Sequence, residues 1–467
     1  MLVFLERNRT TPFNVELRVT CTELEDDESA SYLASVLEPH FHRIQSLHLI
    51  QYEGWRTVEC ADSHAESAFA DGVNGLFRLI NSAGRSNLLR EFRISSSLPC
   101  NAVFPDFLEH ARLQVLAAEN VSLDGMEKAL DASSQTLVSL RVSFIRTWNF
   151  PIENFITALA TLEHLRELEV DLPAQLMLST ETKPLLLPSL SSLVIRGNTS
   201  VLLSRLVCHS LHVASVEVSL EDMLEIEPLV TFFGVHAKTI TSLDLSRIGD
   251  EPAGREFPSA PPIPFPCLTS LSGAFDNHSS SSILAMIRGF CLTSVDLCLY
   301  RTISIDALLD FFDAASSALR TARVTYGHKH PSTGFSTDRT PLNGRIIFGC
   351  LESFESWCRL GDAVISATIN APKLKTLQLH GPLNSGDSGY TAWVILGCLV
   401  TLIMFLTAHP SGGGNEQIRI RRVTEPSILD PYGIFHRSTS HQYSSITQPV
   451  RVQCVFGRRL GYFSSVA

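Results

Sequence analysis

The sequence predicts an α/β solenoid in which short parallel strands alternate with helices along most of the chain. Three observations support this prediction. A hexapeptide with apolar residues at its first, fourth and sixth positions recurs at near-constant spacing. Helical periodicity appears between the hexapeptides. Apolar residues make up 45% of the 467 residues, which is enough to bury a continuous core.

The recurring hexapeptide is typified by residues 165–170, Leu-Arg-Glu-Leu-Glu-Val. Most matches are separated by 23 to 28 residues, which fits the leucine-rich-repeat period of roughly 20–29 residues. The two longer gaps each have room for a degenerate repeat, the second near residues 351–354. The matches begin at Ile44, Leu89, Leu113, Leu137, Leu165, Leu190, Val213, Ile240, Leu268, Leu292, Leu319 and Leu374.

The segments between these hexapeptides predict helices. Apolar residues at i, i+3, i+4 and i+7 within 152–159, and again within 305–312, lie on one helix face. Near the N-terminus, the alternation of apolar and polar residues over 13–19 predicts a half-buried strand. We therefore expect an irregular leucine-rich-repeat-like horseshoe over residues 1–380, with parallel strands on the concave side and helices on the convex side.

The C-terminal part of the chain has a different character. Residues 381–390 predict a polar linker, and residues 391–408 form an uncharged run, TAWVILGCLVTLIMFLTA, that predicts a hydrophobic helix. Eighteen residues with a rise of about 1.5 Å each give roughly 27 Å, the short end of a membrane span. The helix therefore either crosses a membrane or is buried in protein. Residues 409–467 show no repeat and predict a weakly ordered tail.

The net charge and the cysteine content limit which partners and which cellular compartment we expect. The net charge of −11 disfavours nucleic acid as a partner, because binding to phosphate backbones needs clustered Lys and Arg. Eleven scattered cysteines without a CxxC pair favour free thiols in a reducing compartment. The N-terminus does not resemble a secretory signal. We expect a cytoplasmic or nuclear protein, with a single-pass membrane protein as the alternative.

The sequence predicts no catalytic residue, no cofactor and no metal site. Residues 386–389, Gly-Asp-Ser-Gly, match the core of a trypsin-like nucleophile motif, but no histidine motif precedes them and a polar linker is favoured. Cys208, His209 and His212 lie close together, yet a structural zinc site needs four ligands. We therefore expect a protein that is not an enzyme.

Residues that face away from the predicted core form two columns. Alternate residues of a strand face opposite sides, so the residues between apolar positions lie on the concave face. The first column is mostly Ser and Thr, and the second has an acidic centre with Arg at each end. This pattern predicts either a surface that binds a basic peptide or protein, or ordinary solvated strand faces. The candidate partner-binding residues are Arg141, Glu167, Glu169, Glu217, Asp244, Asp296 and Arg323.

An N-terminal stretch and three of the repeats resemble the expanded fungal F-box/leucine-rich-repeat-like proteins. Residues 5–17, LERNRTTPFNVEL, are similar to the LERS-x-x-x-PL-x-x-x-L stretch of that family. Repeats that begin at Pro188, Pro266 and Pro372 are similar to its Pro-x-Leu-x-x-Leu-x-Leu pattern. The resemblance spans residues 1–380 and implies the substrate-recognition part of a Skp–cullin–F-box ubiquitin ligase. The sequence begins after the position of the F-box in that family, so no residue is assigned to Skp binding.

Overall fold

In the computed structural model, the recurring hexapeptides form strands that pair in parallel, within a mixed α/β fold. The chain divides into two units, Met1–Ile240 and Thr241–Ala467. This boundary falls inside the region 1–380 that the sequence predicts as one solenoid. The structure describes residues 11–19, 32, 35–51, 74, 77, 88–100, 106–121, 126–144, 152–173, 183–218, 226–248, 261–275, 283–299, 305–326, 346–356, 369–371, 373, 376–381, 416–423 and 450–458.

The first unit contains a row of parallel strands in chain order. Its strands are β1 (Phe13–Val19), β2 (Ile44–Gln51), β3 (Glu91–Cys100), β4 (Val115–Val121), β5 (Ser139–Phe144), β6 (Glu167–Leu172), β7 (Leu185–Leu186), β8 (Ser192–Gly197), β9 (Leu206–Val207) and β10 (Val213–Val218). The row runs β1-β2-β3-β4-β5-β6-β8-β10, while β7 pairs with β9 in a separate parallel sheet. Strand β1 confirms the strand predicted over 13–19.

Helices lie between the strands of the first unit. They are α1 (Met126–Ala132), α2 (Ile152–Leu159), α3 (Ser200–Leu203) and α4 (Ile226–His236), with short 3-10 helices at Glu38–Arg43 and Asp106–His110. Helix α2 confirms the prediction for 152–159, and all four of its periodic apolar residues are buried. The ring of Phe155 in α2 packs edge-on against Phe144 of β5, with centroids 5.1 Å apart. The helix therefore covers the apolar face of the strands.

The second unit repeats this arrangement. It contains helix α5 (Ile305–Ala315) and the strands β11 (Ser242–Ile248), β12 (Ile263–Pro264), β13 (Ser270–Phe275), β14 (Ile287–Arg288), β15 (Ser294–Leu299), β16 (Thr321–Tyr326), β17 (Ile346–Ile347), β18 (Ser353–Ser356), β19 (Ile369–Asn370), β20 (Thr376–Gly381), β21 (Glu416–Val423) and β22 (Val450–Arg458). The parallel row β11-β13-β15-β16-β18-β20 continues into β22 and β21, which pair antiparallel. Helix α5 confirms the helix predicted over 305–312.

The first apolar residue of most repeats is fully buried in the core. Full burial of a large aliphatic side chain stabilises the folded state by about 1.5–3 kcal/mol. Ten of the predicted first positions have no exposed surface: Ile44, Leu89, Leu113, Leu137, Leu165, Leu190, Ile240, Leu268, Leu292 and Leu319. Leu351 of the degenerate repeat is also fully buried, and β18 follows it. Stacking of these residues is consistent with a solenoid-like fold.

The repeat predicted to begin at Val213 is wrong by two residues. Val213 pairs with Ser192 and is 41% exposed, whereas Leu211 is fully buried. Both residues begin a hexapeptide that fits the apolar template, because apolar residues continue from Leu211 to Val218. The apolar template holds no information on strand register. Pairing with β8 therefore decides that the repeat begins at Leu211 and not at Val213. As a consequence, Ser215 and Glu217 each lie one column further along the strand than predicted.

Several repeats also contain a two-residue strand that the sequence did not predict, and these strands pair as β7–β9, β12–β14 and β17–β19. Helical residues precede two of them, because α3 comes before β9 and residues 283–286 come before β14. In the turn that follows β12, the Leu268 N–H donates to the Phe265 carbonyl oxygen, 3.4 Å away. Pro188 and Pro266 occupy such turns, where their fixed φ favours the tight connection.

The C-terminal predictions fall largely outside the described residues. Residues 382–408, which include the polar linker, the Gly-Asp-Ser-Gly match and the hydrophobic run, lie outside them. Strands β21 and β22 lie within 409–467, which the sequence predicts as a weakly ordered tail. Among the described residues, no helix has the length and apolar character needed to cross a membrane.

Candidate functional site

Parallel register in the first unit aligns its outward side chains in three columns. Strands β2 to β10 of the row supply one residue to each column. The first column is Ser46, Glu91, Val115, Ser139, Glu167, Ser192 and Val213; the second is His48, Arg93, Ala117, Arg141, Glu169, Val194 and Ser215; the third is Ile50, Ser95, Glu119, Ser143, Asp171, Arg196 and Glu217.

Charged residues of the second and third columns form a continuous network of ion pairs. Arg141 Nε lies 2.8 Å from Glu119 Oε1 and 3.4 Å from Glu169 Oε2. Arg196 continues the network, with Nη1 2.5 Å from Glu169 Oε1 and Nε 3.3 Å from Glu217 Oε2. Each guanidinium thus joins carboxylates of two neighbouring strands. We call Glu119, Arg141, Glu169, Arg196 and Glu217 the paired network.

The electrostatics of the paired network favour its charged form. Burial alone would lower the pKa of Arg196, but the hydrogen bond and charge of Glu169, together with Glu217 and Asp171, raise it on balance. Opposite charges alternate along the network, so each arginine screens the repulsion between the carboxylates beside it. The network therefore links five neighbouring strands of the first unit by ion pairs.

Glu91 is the centre of a smaller cluster in the same unit. Its Oε1 lies 2.6 Å from Arg93 Nε and 3.2 Å from His48 Nε2. Burial alone would raise the pKa of Glu91, but hydrogen bonds from Arg93, Ser46 and His48 lower it on balance. This carboxylate too is held as an ion by its neighbours.

The structure brings only some of the predicted residues of the first unit together. Arg141, Glu169 and Glu217 all belong to the paired network, whereas Glu167 is exposed in the first column. Arg196, which the sequence interpretation missed, links Glu169 to Glu217. Continuing the strand alternation two residues beyond Val194 would have identified it, because that step leads to the third column.

The second unit has a different outward face. Its first column contains only hydroxyl side chains: Ser242, Ser270, Ser294, Thr321, Ser353 and Thr376. Its second column is Asp244, Ser272, Asp296, Arg323 and Glu355. In the third column the described side chains, Ala274, Cys298 and Thr325, carry no charge. Among the side chains that the structure describes in these three columns, charge therefore lies in the second column.

We call Asp244, Asp296, Arg323 and Glu355 the acidic face. Arg323 lies between two carboxylates, with Nη1 3.5 Å from Asp296 Oδ2 and Nε 3.7 Å from Glu355 Oε2. Ser272 Oγ donates a hydrogen bond to Asp244 Oδ1, 2.7 Å away. Burial raises the pKa of Asp296; Arg323 opposes this effect, while the charges of Glu355 and Asp244 add to it. The carboxylate of Asp296 is therefore incompletely compensated.

Other candidate chemistry is not supported by geometry. Cys208 is buried, which raises the pKa of its thiol to about 12 and keeps it protonated near neutral pH. His209 and His212 beside it are exposed to solvent. Within the described part of the chain, no group of three or more His, Cys, Asp or Glu side chains is placed to hold a metal ion.

Comparison with known proteins does not assign the chain to a family. No protein-family model matches it, and no curated protein matches it. The resemblance to F-box/leucine-rich-repeat-like proteins therefore stays a prediction.

Proposed function

We propose that the chain is a non-enzymatic protein-interaction module whose acidic face binds a basic segment of a protein partner. The observation that carries this proposal is the charge composition of the acidic face, in which three carboxylates accompany one guanidinium. The raised pKa of Asp296 indicates that its ion gains less from its surroundings than it loses by burial. A cation supplied by a partner would compensate that charge.

The spacing of the carboxylates suggests the form of the partner. Asp244, Asp296 and Glu355 lie on every second strand of the row, and strands about 4.8 Å apart place such residues roughly 9.6 Å apart. A polyproline II helix brings every third residue back to the same side after about 9.3 Å. A segment with Arg or Lys at every third position would therefore meet one carboxylate per turn.

The hydroxyl column beside the acidic face suits such a partner. Ser270 and Ser294 are small, so they leave the carboxylates of the next column accessible to a chain lying across the strands. Thr321 Oγ1 donates to Ser294 Oγ at 3.1 Å, and its side chain is exposed. Hydroxyl groups both donate and accept, so they can bond the solvated backbone of a polyproline II segment.

Calorimetric titration with two capped nonapeptides tests the proposal. One is (Arg-Pro-Pro)3, and the other, with the same composition, places its three arginines together at one end. We expect the spaced peptide to bind at least tenfold more tightly. Equal affinities would contradict the predicted spacing, and no binding by either peptide would contradict the proposal itself.

By resemblance, this interaction would recruit a substrate to a Skp–cullin–F-box ubiquitin ligase. The support is the sequence similarity over residues 1–380 alone. Affinity purification of the tagged chain from cells, followed by detection of Skp and cullin, tests ligase membership. Recovery of both supports it, and their absence in the presence of other partners would leave a stand-alone interaction module.

A second candidate is a membrane-anchored interaction protein tethered by residues 391–408. The observation that favours it is the absence of any charged residue from this run. Extraction of membranes with alkaline carbonate distinguishes the two candidates. Retention of the chain in the membrane pellet supports the tether, and complete release would contradict it.

A further inference from the structure

Two exposed cysteines occupy equivalent positions in consecutive repeats of the second unit. Cys267 directly precedes the buried Leu268, and Cys291 directly precedes the buried Leu292. Both cysteines are free thiols on the surface. The turns around them match, since the Leu292 N–H donates to the Gly289 carbonyl oxygen at 3.4 Å, the same distance as in the preceding turn.

Strand register on both sides of the turns stacks one cysteine on the other. Before the turns, Ile263 of β12 pairs with Ile287 of β14; after them, Ser270 of β13 pairs with Ser294 of β15. Both pairings have the same offset, 24 residues, which is also the separation of Cys267 and Cys291. The segment between is therefore repeated without insertion, and the two cysteines lie at the same level.

Hydrogen bonds between the repeats hold this alignment close to the cysteines. The Phe265 N–H donates to the Arg288 carbonyl oxygen at 2.8 Å, on one side of the turn. On the other side, the Thr293 N–H donates to the Thr269 carbonyl oxygen at 2.9 Å. The cysteines are thus confined between two fixed contacts.

The expected spacing suits a metal ion held between two free thiols. Equivalent Cα atoms on paired strands are about 4.8 Å apart, and both cysteines are free thiols in this structure. A metal–thiolate bond of about 2.3 Å places two thiolates on opposite sides of one ion ~4.6 Å apart. Parallel side chains at the strand spacing therefore match a linear two-thiolate site.

We propose that Cys267 and Cys291 form a two-thiolate site for Cu(I), a soft ion that accepts linear coordination. Thiolate ligands select Cu(I) over hard cations. On binding, two Cu–S bonds form, each thiol releases its proton to solvent, and the ion stays in the +1 state. Exposure of both side chains gives the ion an open path to the site. The site is separate from the acidic face and does not depend on its function.

Anaerobic titration of the reduced full chain with Cu(I), in competition with the chromogenic chelator bicinchoninate, tests the proposal. The chain has eleven cysteines, so the readout is the difference between variants and not the total uptake. We expect Cys267→Ser and Cys291→Ser each to lose one tightly held equivalent of Cu(I). Near-ultraviolet circular dichroism checks that the folded state is retained.

Cys350→Ser is the matched control. Cys350 holds the same position before the buried Leu351, but register through β17–β19 and β18–β20 places Lys373 beside it in the next repeat. We expect this variant to bind as much Cu(I) as the intact chain. Equal uptake by Cys267→Ser and the intact chain would overturn the proposal.

Discussion

The outward faces of the two units carry charge in different ways. In the first unit, two arginines alternate with three carboxylates at distances of 2.5 to 3.4 Å. In the second, Arg323 approaches two carboxylates at 3.5 and 3.7 Å. The two faces have similar acidic content in sequence, yet the ion pairs made by Arg141 and Arg196 are shorter than those made by Arg323. The distances between charged groups on neighbouring strands, more than the residue types, therefore distinguish the paired network from the acidic face.

The directions of the pKa shifts agree with this difference. In the first unit the pKa of Arg196 is raised and that of Glu91 is lowered, because the hydrogen bonds and charges around each outweigh its burial. In the second unit the pKa of Asp296 is raised, because burial outweighs its pairing with Arg323. The first set of charges stabilises the fold, while the charge of Asp296 costs stability; the proposed basic partner would offset that cost.

The largest effect on stability is expected at an ion pair of the first unit that lies away from the outward face. Arg205 Nη1 and Nη2 lie 2.9 and 3.0 Å from the two carboxylate oxygens of Glu153, and the Arg205 side chain is nearly buried. Glu153→Gln leaves this guanidinium without its counter-ion, so we expect a loss of about 2 kcal/mol in unfolding free energy. Urea denaturation measures it. Glu163→Gln, at an exposed turn, is the control, and equal losses in both variants would contradict this account.

A smaller effect is expected from removing the central arginine of each face. Arg196→Met leaves Glu169 and Glu217 without a shared cation, and we expect a loss of about 1 kcal/mol. Arg323→Met, whose ion pairs are longer, is expected to change the unfolding free energy by less than about 0.5 kcal/mol. Urea denaturation of both variants makes the comparison. A larger loss for Arg323→Met would reverse the distinction between the two faces.

The smallest effects, of opposite sign, are expected at Glu91 and Asp296. The lowered pKa of Glu91 stabilises the fold above its unfolded-state pKa, and this gain is lost as pH falls through the folded-state value. The raised pKa of Asp296 is a cost at neutral pH that disappears as pH falls through its folded-state value. At pH 7 we expect Glu91→Gln to destabilise and Asp296→Asn to stabilise, each by about 0.5 kcal/mol. Thermal unfolding at pH 7 and pH 3 measures this, and differences that persist at pH 3 would rule out the carboxylate charges as the cause.

Much of the fold follows from the apolar pattern. Leu165 and its equivalents were predicted because burial depends on local spacing, which the sequence contains directly. The start of β10 was not, since Leu211 and Val213 fit the pattern equally and only pairing with β8 distinguishes them. The two-residue strands were also missed, although Pro188 and Pro266 mark their turns.

The candidate site was less predictable than the core. Asp244 and Asp296 were placed in the correct column, because their repeats have the predicted register. Pairing through Arg196 was not predicted, because it joins the second column of one strand to the third column of the next. Such diagonal contacts depend on side-chain reach and strand offset, neither of which a single repeat reveals.

Calorimetric titration of the (Arg-Pro-Pro)3 peptide into two charge-matched variants tests the central claim most directly. Asp296→Asn and Glu217→Gln each remove one negative charge, the first from the acidic face and the second from the paired network. We expect Asp296→Asn to weaken binding about tenfold, or roughly 1.4 kcal/mol, while Glu217→Gln binds as the intact chain does. Equal weakening by both variants would show that the peptide responds only to net charge and would contradict a specific site on the second unit.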